Sequence, residues 1–207
     1  MKYYPMYVDL KGKKCVVIGG GAVAERKVRS LMDCGAVVTV ISPDLSEALQ
    51  ELAHERQIKY LRRTYRRGDL EGAFLAISAT DRAELNAIIY GEANHKDILI
   101  NVVDDPERCT YIVPSVVQRG DLTLSISTSG SCPALSKQIR AGLEEEFGEE
   151  YADYLRILRD ARERIKGKYR TQEERKEVLQ RVLKLDVLPM LRKGEKDLAE
   201  KRVMECI

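Results

Sequence analysis

The chain has 207 residues, of which 44% are hydrophobic and 33% are charged, and its formal net charge is +2. These values fit a globular protein with one medium domain and a smaller appendage, and the weak net charge argues against a dedicated nucleic-acid-binding protein. No apolar run approaches the length of a membrane span, and residues 1–5 lack the apolar core of a signal peptide. We therefore expect a cytoplasmic protein without a membrane partner.

Cysteine and histidine usage predicts neither disulfide bonds nor a metal site. The cysteines are odd in number, widely scattered and never spaced as C-x-x-C. They are Cys15, Cys34, Cys109, Cys132 and Cys206. The two histidines, His54 and His95, both lie in charged helical stretches. We therefore expect no transition-metal site built by the protein.

A glycine-rich turn follows the first apolar strand, which residues 14–18 predict. The pattern Gly19-x-Gly21-x-x-Ala24 matches the fingerprint of a dinucleotide pyrophosphate site. In that fingerprint the first glycine permits the tight turn, the second admits a phosphate, and the small third residue lets the helix pack on the strand. The N–H groups at the start of the helix point at the phosphates. The predicted pyrophosphate contacts are Gly19, Gly21, Ala22, Val23 and Ala24.

The turn stands in a βαβ unit of suitable length. Apolar or small residues recur at helical spacing from Ala24 to Gly35, and Val37–Ile41 is a second β-branched strand. A single crossover helix implies that the two strands are parallel. The alternative is a βαβ unit that binds no nucleotide.

In this fingerprint an acidic residue about 20 residues after the glycines binds the ribose. Here the second strand ends in Ser42-Pro43-Asp44, so the carboxylate of Asp44 lies slightly further along the chain than the pattern expects. Asp44 is nevertheless predicted to contact the adenosine ribose, with Ser42 sharing the contact and Pro43 beside them. The alternative is that Asp44 caps a helix that starts near Leu45. No arginine stands beside Asp44 in the sequence, which favours NAD over NADP.

The next segments alternate helix and strand and predict a doubly wound parallel sheet. They are a helix at 46–57, a strand at 58–61, a strand at 72–81, a helix at 82–96 and a strand at 98–104. Ligands of such sheets lie beyond the carboxyl ends of the strands. Four residues at those ends complete the predicted cofactor site: Thr80, Asp81, Asn101 and Val102.

After Pro106 the pattern changes to strands at 110–117 and 122–128 around a 118–121 turn, then a helix at 134–147. From Glu149 onward only helical signals remain, and we expect their apolar stripes to pack on the first domain or on a second subunit. The predicted fold is thus a Rossmann-like α/β domain (1–112), a small β/helical dimerisation and cleft region (113–148) and a helical C-terminal domain (149–207).

Basic residues are concentrated in 156–170, where seven lysines and arginines face Asp160 and Glu163. One interpretation is a contact surface for a polyanion, and the other is a solvated helix face.

Together these motifs resemble one family, the precorrin-2 dehydrogenases of sirohaem synthesis, over roughly residues 3–140. The most specific segments are an Asn-Val-Val-Asp run at 101–104 and a Ser-Gly-x-x-Pro turn at 129–133. The other matching segments are 5–10, 19–27, 79–81, 105–106, 114–115, 128 and 134.

The resemblance implies NAD-dependent oxidation of precorrin-2 to sirohydrochlorin in a homodimer, and some members also insert ferrous iron. It assigns the role of catalytic base to Asp104, whereas the residues alone also allow Asp104 to be a turn-capping carboxylate before Pro106. Because precorrin-2 carries eight carboxylates, cations and turn N–H groups of the region 113–148 are predicted to bind it. They are Arg119, Ser129, Ser131, Lys137 and Arg140.

Two rival functions use fewer of these motifs. A non-catalytic NAD-sensing regulatory module shares the glycine turn but needs neither 101–104 nor 129–133. Nucleic-acid binding through 156–170 lacks interleaved aromatic residues beyond Tyr169. We therefore expect an enzyme that binds a tetrapyrrole and no nucleic acid.

Overall fold

The computed structural model describes residues 3–207, and the first half of the chain forms one parallel sheet with helices. The elements are β1 (Lys14–Ile18), α1 (Ala22–Asp33), β2 (Val37–Ser42), α2 (Glu47–His54), β3 (Lys59–Arg62), β4 (Leu75–Ser78), α3 (Ala83–His95) and β5 (Leu99–Val102). The strand order is β3-β2-β1-β4-β5, and every neighbouring pair is parallel. The predicted Rossmann-like doubly wound sheet is confirmed.

Both faces of this sheet are buried, as the continuous apolar runs of its strands predict. Successive side chains of β1 alternate between two cores: Cys15 and Val17 belong to one, Val16 and Ile18 to the other. The first core also takes the buried face of α1 and α2, and the second takes that of α3. The sheet therefore holds the carboxyl ends of its strands in fixed positions.

The link from β3 to β4 crosses the sheet without a helix. Arg63 holds it closed by a two-pronged ion pair with Asp69, in which both nitrogen–oxygen distances are 2.7 Å. Tyr65 and Leu70 of the link are buried in the core that α3 covers. These two side chains cover this part of the sheet, as the side chains of a crossover helix do between other parallel strands.

The second half of the chain begins with an antiparallel hairpin of β6 (Ser115–Arg119) and β7 (Leu122–Ile126). The predicted strand at 110–117 starts too early because Thr110 is tied to β5: its N–H donates to the Ile100 carbonyl at 2.9 Å. A short 3-10 helix, Pro106–Arg108, lies between β5 and that contact. The helices that follow are α4 (Pro133–Glu146), α5 (Glu150–Lys168), α6 (Gln172–Leu183), α7 (Leu188–Arg192) and α8 (Lys196–Glu205).

The C-terminal helices have a hydrophobic core of their own, which corrects the expectation that their stripes need the first domain or a second subunit. Ile157 and Val182 are fully buried in it, together with side chains from α7 and α8. The stripes pack on one another because four helices lie close enough to share them.

The chain divides into two compact units, the first ending at Val113 and the second comprising Pro114–Ile207. The expected split into 1–112, 113–148 and 149–207 is finer than this division. No helix among the described residues is both long and apolar enough to span a membrane. The five cysteines are all free thiols.

Candidate dinucleotide site

The glycine turn lies where the strand order reverses, between the carboxyl ends of β1, β2 and β4. Gly19 has φ +124°, and a Cβ on it would lie 2.3 Å from the Ala79 carbonyl oxygen. A Cβ on Gly20 would lie 1.9 Å from the Asp44 carbonyl oxygen. Both distances are impossible for real atoms, so these two glycines let the turn sit against its neighbours. The sequence pattern gave no role to Gly20.

Gly21 has a different environment and leaves open space in front of α1. It is the N-cap of α1 with extended backbone, and a Cβ on it would meet no atom within 4 Å. Ala24, about one turn further along α1, is 1% exposed and belongs to the core on that face of the sheet. An open glycine at a helix N-terminus fits the approach of a pyrophosphate to the unpaired N–H groups. The residues present therefore fit a dinucleotide.

A cleft of about 510 Å³ runs from this turn along the strand ends. It contains nine of the predicted cofactor residues: Gly19, Gly21, Ala22, Val23, Ala24, Ser42, Pro43, Thr80 and Asp81. It is also lined by residues that the sequence did not indicate, including Thr64, Tyr65 and Leu85. Thr64 and Tyr65 come from the helix-free link, whose path across the sheet has no local sequence signal.

A second cleft, of about 460 Å³, contains Asp104. It shares four lining residues with the first cleft (Val23, Ala79, Thr80 and Asp81) and is also lined by Val103, Asp104 and Asp105. The structure thus brings the predicted base and the predicted cofactor residues to one continuous surface of the first unit.

Asp104 and Asp105 have different roles although they are adjacent. Asp105 is the N-cap of the 3-10 helix: its carboxylate accepts from the Arg108 N–H at 3.3 Å and pairs with the Arg108 guanidinium. The alternative in which Asp104 caps this turn is therefore wrong. Asp104 is exposed and has φ +61°, in the left-handed region that side chains other than glycine rarely adopt.

Three predicted cofactor residues line neither cleft: Asp44, which lines a smaller cleft described below, and Asn101 and Val102 of β5. Val102 is buried in the sheet, and Asn101 turns its side chain inward, where Nδ2 donates to the Tyr111 carbonyl at 3.2 Å. Asn101 and Val102 therefore stabilise the end of β5 and do not line the cofactor cleft. Their place at the end of β5 was predicted, but the direction of each side chain depends on the register of the sheet.

Asn86 is a residue of this site that the sequence did not reveal. It is buried in α3, accepts from Ser78 Oγ at 2.7 Å and donates to the Thr80 carbonyl at 3.1 Å. It thereby ties the end of β4 to α3 and fixes the wall that both clefts share.

Burial shifts the pKa of two groups near the end of β5. The pKa of Lys27 is lowered by burial first and by Arg26 second, against the opposite effect of Cys109. The pKa of Tyr111 is raised, mainly by burial, and no residue among 3–207 forms a hydrogen bond with its buried hydroxyl. Neither group was identified from the sequence.

Cys109 holds together the loop that carries Asp104. Its Sγ accepts from the Val102 N–H at 3.3 Å and from Asn101 Nδ2 at 3.5 Å, and it lies 3.2 Å from the Asp105 carbonyl oxygen. The thiol therefore joins the first and last residues of the loop and orients the segment between them.

Replacing Cys109 with alanine is expected to lower the free energy of unfolding by about 1–2 kcal/mol, because the buried donors lose their acceptor. Urea unfolding followed by circular dichroism measures this. Cys34→Ala is the matched control, since that thiol is exposed, and its effect should stay within about 0.5 kcal/mol. Equal stability of the two variants would show that the thiol does not hold the loop.

The predicted ribose end of the cleft differs from expectation in two respects. Ser46, not Asp44, is the N-cap of α2 and accepts from the Leu49 N–H at 3.4 Å, so the capping alternative for Asp44 is wrong. An arginine does stand beside Asp44: β2 and β3 pair so that Ser42 opposes Arg62. Asp44 and Arg62 line one small cleft of about 160 Å³.

The predicted substrate residues all lie in the second unit, and two of them are already engaged. Arg119 donates to the Phe147 carbonyl at 2.9 Å and to that of Glu144 at 3.3 Å, so its guanidinium serves the C-terminal end of α4. Arg140 forms an ion pair with Glu144. The exposed residues of the set are Ser129, Ser131 and Lys137.

Three of the seven basic residues at 156–170 form ion pairs with carboxylates. Arg156 contacts Glu200 at 3.2 Å, Arg159 contacts Asp121 at 3.2 Å, and Lys166 contacts Glu163. These pairs favour the interpretation as a solvated helix face over a polyanion surface.

Comparison with known proteins places the chain in a family. A family model described as "Putative NAD(P)-binding" matches residues 6–115. Siroheme synthase of Photobacterium profundum is 44% identical over 144 residues, which are 70% of this chain and 31% of that protein. Siroheme synthase 3 of Aeromonas hydrophila is 38% identical over 188 residues, which are 91% of this chain and 40% of the relative.

The chain thus spans less than half the length of these curated relatives. A solved structure titled "SirC, precorrin-2 dehydrogenase" has a TM-score of 0.81 and 26% sequence identity, and the match covers 98% of this chain and all of the other. This match confirms the predicted fold, and together with the family model it supports NAD as the cofactor. The chain belongs to this NAD(P)-binding family.

Proposed function

We propose that the chain oxidises precorrin-2 to sirohydrochlorin with NAD⁺ in sirohaem biosynthesis. The observation that carries the proposal is the position of Asp104, an exposed carboxylate on a cleft that shares a wall with the dinucleotide cleft. A dehydrogenation needs a hydride acceptor and a proton acceptor close together. The family model supports the first, and Asp104 offers the second.

Each part of the site has a separate role. The open glycine Gly21 and the N-terminus of α1 hold the pyrophosphate, and the end of β4 supports the middle of the dinucleotide. When bound, the oxidised nicotinamide supplies the hydride acceptor. Asp104 takes the proton that leaves the tetrapyrrole, and Cys109 keeps the loop of Asp104 in place.

The proposal extends to the second unit and to the compartment. We assign tetrapyrrole binding to Arg119, Ser129, Ser131, Lys137 and Arg140, among which Ser129, Ser131 and Lys137 have exposed side chains. The free thiols fit a reducing compartment, so we place the reaction in the cytoplasm.

The test is anaerobic incubation of the purified chain with precorrin-2 and NAD⁺, with NADH and sirohydrochlorin followed by absorbance. Stoichiometric formation of both supports the proposal. Binding of NAD⁺ without oxidation would contradict it and indicate a sensing module instead. Addition of Fe²⁺ to the product then separates a dedicated dehydrogenase from one that also accelerates iron insertion.

We also propose that the chain is a homodimer and that α4 contributes to the interface. Leu135 and Ile139 follow one another at a spacing of four residues on α4, and they are 45% and 41% exposed. An exposed apolar stripe of this kind is typical of a surface that a partner covers.

Ile139→Asp is expected to weaken the dimer at least about tenfold, because a carboxylate would be buried among apolar side chains. Sedimentation velocity over a concentration series measures the change. Leu183→Asp, at a leucine that is 50% exposed outside this region, is the control and should leave the dimer intact. A wild-type monomer, or a dimer unaffected by Ile139→Asp, would contradict the proposal.

A further inference from the structure

The small cleft beside the dinucleotide cleft has charges of both signs on its wall. It is lined by Pro43, Asp44, Leu45, Gln50, Tyr60 and Arg62. Asp44 follows β2 and Arg62 ends β3, and the pairing of Ser42 with Arg62 sets the two residues side by side at the edge of the sheet. This is the position at which Rossmann folds hold the adenosine ribose.

Neither charge is used by the protein itself. No described side chain forms a hydrogen bond or ion pair with Arg62 or with the Asp44 carboxylate, so both charges are available to a ligand. Two unpaired groups of opposite sign therefore face one opening of about 160 Å³.

Tyr60 keeps these two charges in place. Its hydroxyl donates to the Pro43 carbonyl at 3.1 Å and thus joins β3 to the segment that carries Asp44. Burial raises the pKa of Tyr60, Asp44 adds to that rise, and Arg62 opposes it, so both charges act on one hydroxyl. The opening between them is set by the sheet rather than by a mobile loop.

We propose that Asp44 and Arg62 jointly set the choice between NAD and NADP at this site. A ribose 2′-hydroxyl donates to the Asp44 carboxylate, which favours NAD. A 2′-phosphate is repelled by Asp44 but attracted by Arg62, which presents several N–H donors in a planar fork. The chain therefore prefers NAD while retaining measurable affinity for NADP, and each preference depends on one residue.

The inference rests on the dinucleotide site and not on the identity of the tetrapyrrole. Its test is calorimetric titration of the full chain with NAD⁺ and, separately, with NADP⁺, without any tetrapyrrole. Arg62→Gln should weaken NADP⁺ binding about tenfold or more and change NAD⁺ binding less than about twofold, because only the phosphate uses the guanidinium. Asp44→Asn should strengthen NADP⁺ binding and weaken NAD⁺ binding.

Two controls separate this contact from general electrostatics. Lys59→Gln removes one positive charge from the other end of β3, where its side chain is exposed, and should change neither affinity. Raising the salt concentration should weaken NADP⁺ binding to the wild type more than to Arg62→Gln.

Equal losses of both dinucleotides in Arg62→Gln, or no loss of NADP⁺, would overturn the inference. If both variants change dinucleotide binding as expected but the chain does not oxidise precorrin-2, only the proposed function is overturned.

Discussion

Asp104→Asn is expected to lower kcat by about 10²–10⁴-fold, the usual contribution of a general base, while NAD⁺ binding stays unchanged. Asparagine is the informative substitution because it removes the charge and tolerates the left-handed backbone, φ +61°, that Asp104 adopts. Alanine at this position would add backbone strain and confuse loss of chemistry with loss of structure. Steady-state kinetics with precorrin-2 and titration with NAD⁺ measure the two effects separately.

Asp97→Asn is a closely matched control for this variant. Asp97 is also an exposed aspartate with a left-handed backbone, φ +53°, but it lies just before β5, at the opposite end of that strand from Asp104. The same chemical change there should leave kcat and NAD⁺ affinity unaltered. An Asp104→Asn enzyme with wild-type turnover would remove Asp104 from the mechanism.

Gly21→Asp is expected to weaken NAD⁺ binding at least about a hundredfold, because a carboxylate would face the pyrophosphate at the N-terminus of α1. Folding should not suffer: the backbone of Gly21 is extended, with φ −86°, and a Cβ there meets nothing within 4 Å. Aspartate is in fact a favoured N-cap residue. The variant should therefore keep or raise its free energy of unfolding while it loses the cofactor, and calorimetry with urea unfolding measures both.

Two neighbouring variants test this interpretation of Gly21. Gly21→Asn keeps the bulk without the charge and should give a smaller loss of affinity. Gly20→Ala should instead destabilise the fold, since its Cβ would lie 1.9 Å from the Asp44 carbonyl oxygen. Unchanged NAD⁺ affinity in a folded Gly21→Asp chain would exclude the turn as the pyrophosphate site.

The part of the fold that the sequence predicts is the part with local signals. The glycine fingerprint, the β-branched strands and the helical spacing of α1 each lie within one continuous segment, so the parallel sheet could be predicted without tertiary information. The hairpin of β6 and β7 followed in the same way from its turn at 118–121.

What the sequence could not predict depends on contacts between distant segments. Arg62 stands beside Asp44 only because β2 and β3 pair in one particular register. Asp105 rather than Asp104 caps the turn because backbone geometry, not residue type, decides between two adjacent carboxylates. The shared core of the C-terminal helices could not be predicted, because an apolar stripe on one helix does not indicate which other element packs against it.

The order of the strands also bears on how the protein is made. β1 and β4 pair although they are farther apart along the chain than any other neighbours in the sheet, and their contact closes last if local units form first. The dinucleotide cleft lies across that contact, with Gly19 on one side and Ala79 on the other. A nascent chain that has formed β1, β2 and β3 already has the glycine turn but lacks the opposite wall. Retention on a nucleotide resin would therefore report that synthesis has passed β4 and that the two halves of the sheet have joined.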